Sequence, residues 1–600
     1  MANEPAARNV DDDGGWRTHV PLLGVLRGYD RTVFSSDLTA GLIVAVISVP
    51  QAVAYAYLAG LPPSAGLYAC LVPMLLYTLL GSSRHLVVGP TAVAALMVAA
   101  AIGAHAPDYG GDHLGVATVI CLEAGLFLLL LRLTQMGGVV HLLSHPVITG
   151  FVNAAAILII ASQLSAFTGV AAERDGLPIA ALFAVFQNFP SFNAVTLILG
   201  VGSLLLLWTA ARYGPRLVGW VWPRLAGSPF VAQVGPLLTL LLATLLVAAL
   251  DLDASFGVAT AGEVPSGLPE FTLPPFSPLM WLALMPSSAM IAAVAFVESY
   301  TIGTSLANRE HTRLESAQEL LALGAANLAA GISGATPVAG SFSRSSLNYR
   351  SGARTPVSSL LCAAVILLTL LFLTPLFANL PQATLAAIVI VCVVGLIDLR
   401  AISHHWKLYR EDGVTGLVTM GTVLAFGVET GLIAGVLLSI AFFVRRSSRP
   451  HIALVGRIGE SESFRAARRH EVETHDHVTA VRIDENIYFA NANHIESKLH
   501  RLIARRGGTH HVLVVCSAVN IIDVSGVEML ARLNDNLEQE GIKLHLSDVK
   551  WPVMAQLKRS KLPDELTGRI FFTTDEAINA LADEPDEDDG GEAIQNGDRI

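Results

Sequence analysis

Val88-Gly89-Pro90-Thr91-Ala92-Val93 and Pro337-Val338-Ala339-Gly340-Ser341-Phe342-Ser343-Arg344-Ser345-Ser346 break two apolar stretches in matching ways. Each sets Gly or Pro just before a short helix start, deep in a hydrophobic region. Irregular backbone at membrane depth survives only where it is buried in protein or lines a cavity. A helix that begins there aims unpaired N–H groups and the positive end of its dipole into that cavity, which suits an anion. One such break reads as readily as a helix kink. Two of them, each before the third helix of a half of seven, read as an inverted-repeat transporter with its site near the midplane.

The composition around the breaks agrees. Of 600 residues, 53% are hydrophobic and 14% charged, whereas a soluble chain carries about 25% charge. Mean hydropathy is +0.56. The 51 Gly and 29 Pro fall largely inside apolar stretches, which polytopic membrane proteins accept. The chain therefore reads as a polytopic α-helical membrane protein with a soluble remainder. Apolar segments predict about fourteen spans, near 38–58, 64–80, 91–105, 115–134, 146–167, 194–211 and 232–250, then 280–306, 315–332, 341–350, 356–377, 380–398, 414–426 and 428–444. Several are shorter than the roughly 20 residues of a full crossing, as helices that stop mid-membrane would be.

Charge placement gives the orientation. With the N-terminus inside, inner loops hold Arg84, Arg132, Arg212, Arg216, Arg224, Arg309, Arg313, Arg350, Arg354, Arg400, Lys407, Arg410, Arg445, Arg446 and Arg449. Outer loops hold Asp108, Asp112, Glu173, Asp175, Asp251, Asp253, Glu263 and Glu270, with Arg174 the one basic exception. That asymmetry fits the positive-inside rule, an even number of spans and two cytoplasmic termini. The expected layout is a cytosolic N-terminal segment over 1–36 and a transmembrane transport domain over 37–446. A linker over 447–469, a small α/β domain over 470–582 and an acidic disordered tail over 583–600 follow.

In the soluble part, VTAVRIDENIYFAN and HHVLVVCSAVNIIDVS read as strands, and NHIESKLHRLIAR and GVEMLARLNDNLEQEG as helices. Their alternation predicts a mostly parallel sheet. The net charge of −11 owes much to Asp583-Glu584-Pro585-Asp586-Glu587-Asp588-Asp589. No basic face suggests nucleic acid as a partner. The polar, acidic start MANEPAARNVDDDGG reads as a cytosolic tail rather than a cleavable signal. The five cysteines show neither metal nor disulfide spacing. Thr474 stands four residues after His470, so His470-Glu471 does not begin a zinc HExxH motif. With no GxxxxGK[ST] loop, ATP-driven pumping has no nucleotide site. No cofactor is expected, and neither is enzymatic activity: the spans hold no nucleophile–base pair.

Four residues sharpen the candidate site. Gln51 and Tyr55, four apart, share one helix face. Arg344 sits just inside the second half-helix, where its charge complements an anion held by the helix end. Glu298 is an ionisable group in an apolar span, a costly placement that is functional by default. A purely structural Glu298–Arg344 pair is the plainer reading.

The stretch Pro50-Gln51…Ala54-Tyr55-Ala56…Leu58-Ala59-Gly60-Leu61-Pro62-Pro63…Gly66-Leu67-Tyr68 resembles the sulfate-transporter signature of the SulP anion transporters, relatives of the solute carrier 26 group. Gly81-Ser82-Ser83-Arg84…Gly89-Pro90, Gly340-Ser341-Phe342-Ser343-Arg344-Ser345 and Ser351-Gly352-Ala353-Arg354-Thr355-Pro356 also match, and the α/β domain is similar to a STAS domain. The resemblance implies a seven-plus-seven inverted repeat with core and gate domains (UraA-like), and a homodimer. It places Gln51, Tyr55, Thr91, Ala92, Gly340, Ser341, Ser343 and Arg344 at the substrate site. Sodium-coupled bicarbonate members carry Asp at the Glu298 position and a Thr four residues on, where this chain has Ile302. The missing oxygen ligand counts against sodium. STAS regulators set a phosphorylatable Ser directly after an Asp; here Val524 follows Asp523, so Ser525 reads as a helix N-cap near Gly526.

The expected function is secondary active transport of a small inorganic anion across the inner (plasma) membrane. Sulfate is the first candidate, by proton-coupled symport with Glu298 as proton carrier and elevator-type alternating access. The alternatives are sodium-coupled bicarbonate uptake or anion exchange on the same fold, and a passive anion channel.

Overall fold

The computed structural model describes residues 20–26, 29–135, 144–170, 191–221, 235–262, 267–269 and 271–582. The expected tail 583–600, most of the N-terminal segment, and Glu173, Arg174, Asp175, Arg224, Glu263 and Glu270 lie outside the described residues. The chain divides into two compact units, Met1–Ser439 and Ile440–Ile600.

In the first unit, α1 (Arg31–Leu58) is started by Asp30, whose carboxylate accepts from the N–H groups of Thr32 and Val33 at 2.8 Å each. The helix thus begins inside the segment expected to precede the membrane. It is followed by α2 (Pro63–Ala69), α3 (Val72–Leu80), β1 (Val88–Gly89), α4 (Ala92–His105), α5 (His113–Leu133), α6 (His145–Thr168), α7 (Ala194–Val221) and α8 (Gly235–Leu250). The second half holds α9 (Pro278–Arg309), α10 (Ser316–Ile332), β2 (Ala339–Gly340), α11 (Phe342–Arg350), α12 (Val357–Leu368) and α13 (Gln382–Val394). It ends with α14 (Leu399–Leu408), α15 (Arg410–Phe426) and α16 (Val428–Ser447), the last of which runs into the second unit.

Nine helices among the described residues are long and apolar enough to cross a membrane, and Gly235–Leu250 and Val357–Leu373 are shorter apolar ones. With α10, α11 and α15 they follow the predicted spans in order, seven before and seven after the 250–278 connection. The expected single span 64–80 is divided at Cys70-Leu71 into α2 and α3. α14 was expected as an inner loop because of Arg400 and Lys407; it is a helix because Asp398 caps it, accepting from Ala401 N–H at 3.0 Å, while Ile402 turns inward.

Packing sorts these helices into a core and a gate. α5 lies against α9 and α10, α10 against α3, and α1 against α12. α6 lies against α13 and α15, and α13 against α7. Small residues allow helices to approach closely: a Cβ on Gly150 of α6 would stand 2.2 Å from the Gly416 carbonyl of α15. Asp37 of α1, fully buried, accepts from the N–H groups of Arg354 and Thr355 at 2.7 and 3.1 Å, satisfying backbone donors at the start of α12.

The second unit carries a six-stranded sheet in the order β4-β3-β5-β6-β7-β8: β3 (Ile452–Arg457), β4 (Phe464–Ala466), β5 (Val478–Ile483), β6 (His511–Val515), β7 (Lys543–Ser547) and β8 (Ile570–Phe571). β5 to β8 run parallel. α17 (Ala492–Arg506), α18 (Val524–Gln539), α19 (Trp551–Leu557) and α20 (Thr574–Ala582) cover it. Two expectations are corrected here. The segment 447–469 is not a plain linker, since β3 and β4 form there and β3 joins β5 antiparallel, burying Ile452 and Val455. Ser525 is not the N-cap of α18; Asp523 is, accepting from Gly526 N–H at 2.8 Å.

Candidate functional site

The two breaks find each other. β1 and β2 pair antiparallel, Val88 opposite Gly340 and Gly89 opposite Ala339, all four buried. The pairing is extended by Ser341 N–H donating to Val87 O at 3.0 Å, and by Val87 N–H donating to Ser345 Oγ at 2.9 Å. Ser299 of α9 supports β2 by accepting from Gly340 N–H at 2.7 Å. Two half-helices therefore start from one small ribbon. α4 is capped by Thr91, whose Oγ1 accepts from Ala94 N–H at 3.3 Å. α11 starts at Ser341 without a side-chain cap, so no side chain caps its first-turn N–H groups.

Arg344 is fully buried, one turn into α11. Its Nη2 donates to Pro90 O at 2.6 Å and its Nη1 to Cys70 Sγ at 3.3 Å, while Nε has no partner. The guanidinium thus spans from one half-helix to the break before the other. Gly89 makes room for it, since a Cβ there would lie 2.6 Å from Nη1. Glu298 of α9 is half-buried and accepts from Thr91 Oγ1 at 3.4 Å. No ion pair joins Glu298 to Arg344; each has other partners, so the plainer reading of a structural pair fails. The two are near enough for the Arg344 charge to act on Glu298.

Gln51 and Tyr55 of α1, both buried, turn toward Cys392 of α13. Gln51 Nε2 lies 3.5 Å from Cys392 Sγ, and Gln51 Oε1 has no donor. Tyr55 also feels the charges of Arg344 and Glu298, which ties the α1 pair to the ribbon. Ala92 and Ser341 are buried at the two helix starts. Ser343 is exposed and reaches Ser341 Oγ at 3.3 Å. Cys70, Cys392, Ser299 and Ser345 also belong to this cluster and carry no sequence signal that separates them from ordinary small or apolar residues. No group of three or more metal-ligating side chains occurs among the described residues. The arrangement offers backbone N–H groups, hydroxyls and one fixed cation to an anion, with one carboxyl group beside it.

Residues 34–419 match the profile described as the sulfate permease family, and 469–577 match the STAS domain. The chain is 34% identical over 550 residues to "Probable sulfate transporter 4.2" of Arabidopsis thaliana, covering 90% of this chain and 79% of the relative. It is 32% identical to a probable sulfate transporter of Mycobacterium tuberculosis, covering 94% and 98%. Murine solute carrier 26 family member A9, an anion transporter in the inward-facing state, superposes with a TM-score of 0.86 at 21% identity, covering 97% of each chain. The transmembrane domain of a cyanobacterial bicarbonate transporter superposes with a TM-score of 0.56 at 23% identity, covering 68% of this chain and 98% of that one.

Proposed function

Since the chain belongs to the sulfate permease family, and is a multi-pass anion transporter rather than an enzyme, we propose that it moves sulfate by proton-coupled symport. The observation that carries this reading is the buried Arg344, bridging the two paired breaks with Glu298 one hydroxyl away. Sulfate is the anion in the names of the relatives above, and its tetrahedral oxygens suit two converging helix starts. Gln51, Tyr55, Thr91, Ala92, Gly340, Ser341, Ser343 and Arg344 form the proposed site. Movement of the core against the gate would carry it across, in a homodimer with both termini on the cytoplasmic side of the plasma membrane.

The coupling ion follows from charge. A carboxylate in a poorly solvated site is costly, and an arriving anion adds repulsion. Binding a proton at Glu298 removes both costs, so anion and proton travel together. Ile302, buried one turn on, supplies no oxygen for sodium.

Uptake of labelled sulfate into proteoliposomes tests this, with bicarbonate and chloride as competitors and pH or sodium gradients imposed separately. An inward proton gradient accelerates the wild type, whereas Glu298→Gln binds and exchanges sulfate without that acceleration. Sodium-dependent, pH-independent uptake would overturn the reading.

A further inference from the structure

The second unit gathers cations where the last span ends. The final residues of α16, Ile440–Ser447, belong to that unit, and Ser447 O accepts from Asn491 Nδ2 at 3.3 Å. Asn491 caps α17 and also donates to Asn486 O at 2.8 Å, so the end of the span is tied to the loop after β5. Ile452 of β3 pairs with Ile483 of β5 at that same end. The carboxyl end of β5 is therefore tied to the C-terminal end of α16 within this unit.

Arg445, Arg446 and Arg449 are exposed there. His494, Lys498 and Arg501 are spaced by four and three on one face of α17, and His494 lies within electrostatic reach of Lys498, Arg449 and Arg501. The His494 imidazole is held below its ordinary pKa, first by burial and then by those three cations. Arg445, Arg449, Lys498 and Arg501 make no ion pair among the described residues. Two neighbouring acids are occupied: Asp484 pairs with Arg482 at 2.5 Å and His451 at 2.8 Å, and Glu496 with Arg532 at 3.1 Å. Phe489, in the same loop, is 75% exposed.

We propose that Arg445, Arg449, Lys498 and Arg501, with Phe489, form a docking surface for the headgroups of acidic phospholipids in the leaflet where α16 ends. Cations just beyond a span face the surface potential of acidic lipids, and each adds to the attraction. An aromatic ring at headgroup level anchors such a contact. Attachment to a span and an exposed aromatic favour lipid over soluble phosphate as the occupant.

The full chain in nanodiscs, with a bimane on Asn493→Cys and quencher-labelled phosphatidylcholine, tests this against the unsubstituted, equally treated chain. Quenching rises about twofold when about 30% phosphatidylglycerol replaces phosphatidylcholine, and high salt reverses the rise. The triple variant Arg449→Gln/Lys498→Gln/Arg501→Gln loses the rise, while Arg449→Lys/Arg501→Lys keeps it. Equal quenching in both lipids overturns the proposal, as does a rise that the triple variant retains. Loss of the rise on adding inorganic phosphate at constant ionic strength also overturns it, in favour of a soluble anion.

Discussion

Among the described residues Arg344 is the largest side chain that is wholly buried, and no carboxylate there pairs with it. A charge in that position is costly unless neutral dipoles or an anion meet it. Pro90 O and Cys70 Sγ do part of this, and a bound anion would do the rest. Arg344→Gln keeps a polar group near Pro90 O but removes the charge, so the KM for anion uptake should rise about tenfold or more while the protein elutes as folded. An unchanged KM would remove Arg344 from the site. Much of this site was legible because its polar residues interrupt the apolar pattern: Gln51 and Glu298 stand in apolar spans, and Arg344 is the one charge in the serine-rich second break. Cys70 and Cys392 were illegible for the opposite reason. Each looks like any small residue of an apolar run, and only the fold sets them against Arg344 and Gln51.

At the scale of single elements, β7 contains an ionisable group that should set the acid tolerance of the α/β unit. His545 is buried, with Nδ1 accepting from Arg569 N–H at 3.0 Å and Nε2 lying 3.1 Å from His511 Nδ1. Burial, then His511, Arg569 and Lys543, push its pKa down to about 3. The unfolded chain therefore takes up this proton near pH 6.5 while the native fold refuses it. The stability contributed by neutral His545 is full above about pH 6.5 and drains away as the pH falls toward 3. Hydrogen exchange of the β6–β7 amides should accelerate between about pH 7 and 5 beyond the intrinsic chemistry, and His545→Gln should flatten that added dependence. A profile that His545→Gln leaves unaltered would assign the acid sensitivity elsewhere. Elements were legible where hydropathy alone decides them, as for α5 or α6. β1 and β2 were read only as breaks, because a two-residue pairing between positions some 250 apart leaves no local periodicity. β3 escaped notice because its apolar residues lie between the polar runs RRSSRP and RIGESES.

For the whole molecule, the two units divide the proposed tasks. Every residue of the proposed anion site lies within Met1–Ser439, and the ribbon, Arg344, Glu298 and the α1 pair draw their hydrogen-bond partners from that unit. Anion binding should therefore survive removal of the α/β domain, whereas transport need not, because holding the anion and carrying it across are separate demands on the fold. A chain ending at Arg449 keeps the whole of α16 and omits the six-stranded sheet. Sulfate binding stabilises a folded transporter in proportion to its occupancy, so the shift in unfolding temperature with sulfate concentration reads the site without requiring transport. The truncated chain should show the same half-saturating sulfate concentration as the full chain, with a lower uptake rate in proteoliposomes. If the truncated chain is folded but its unfolding temperature no longer responds to sulfate, the α/β domain takes part in binding and the division of labour is wrong.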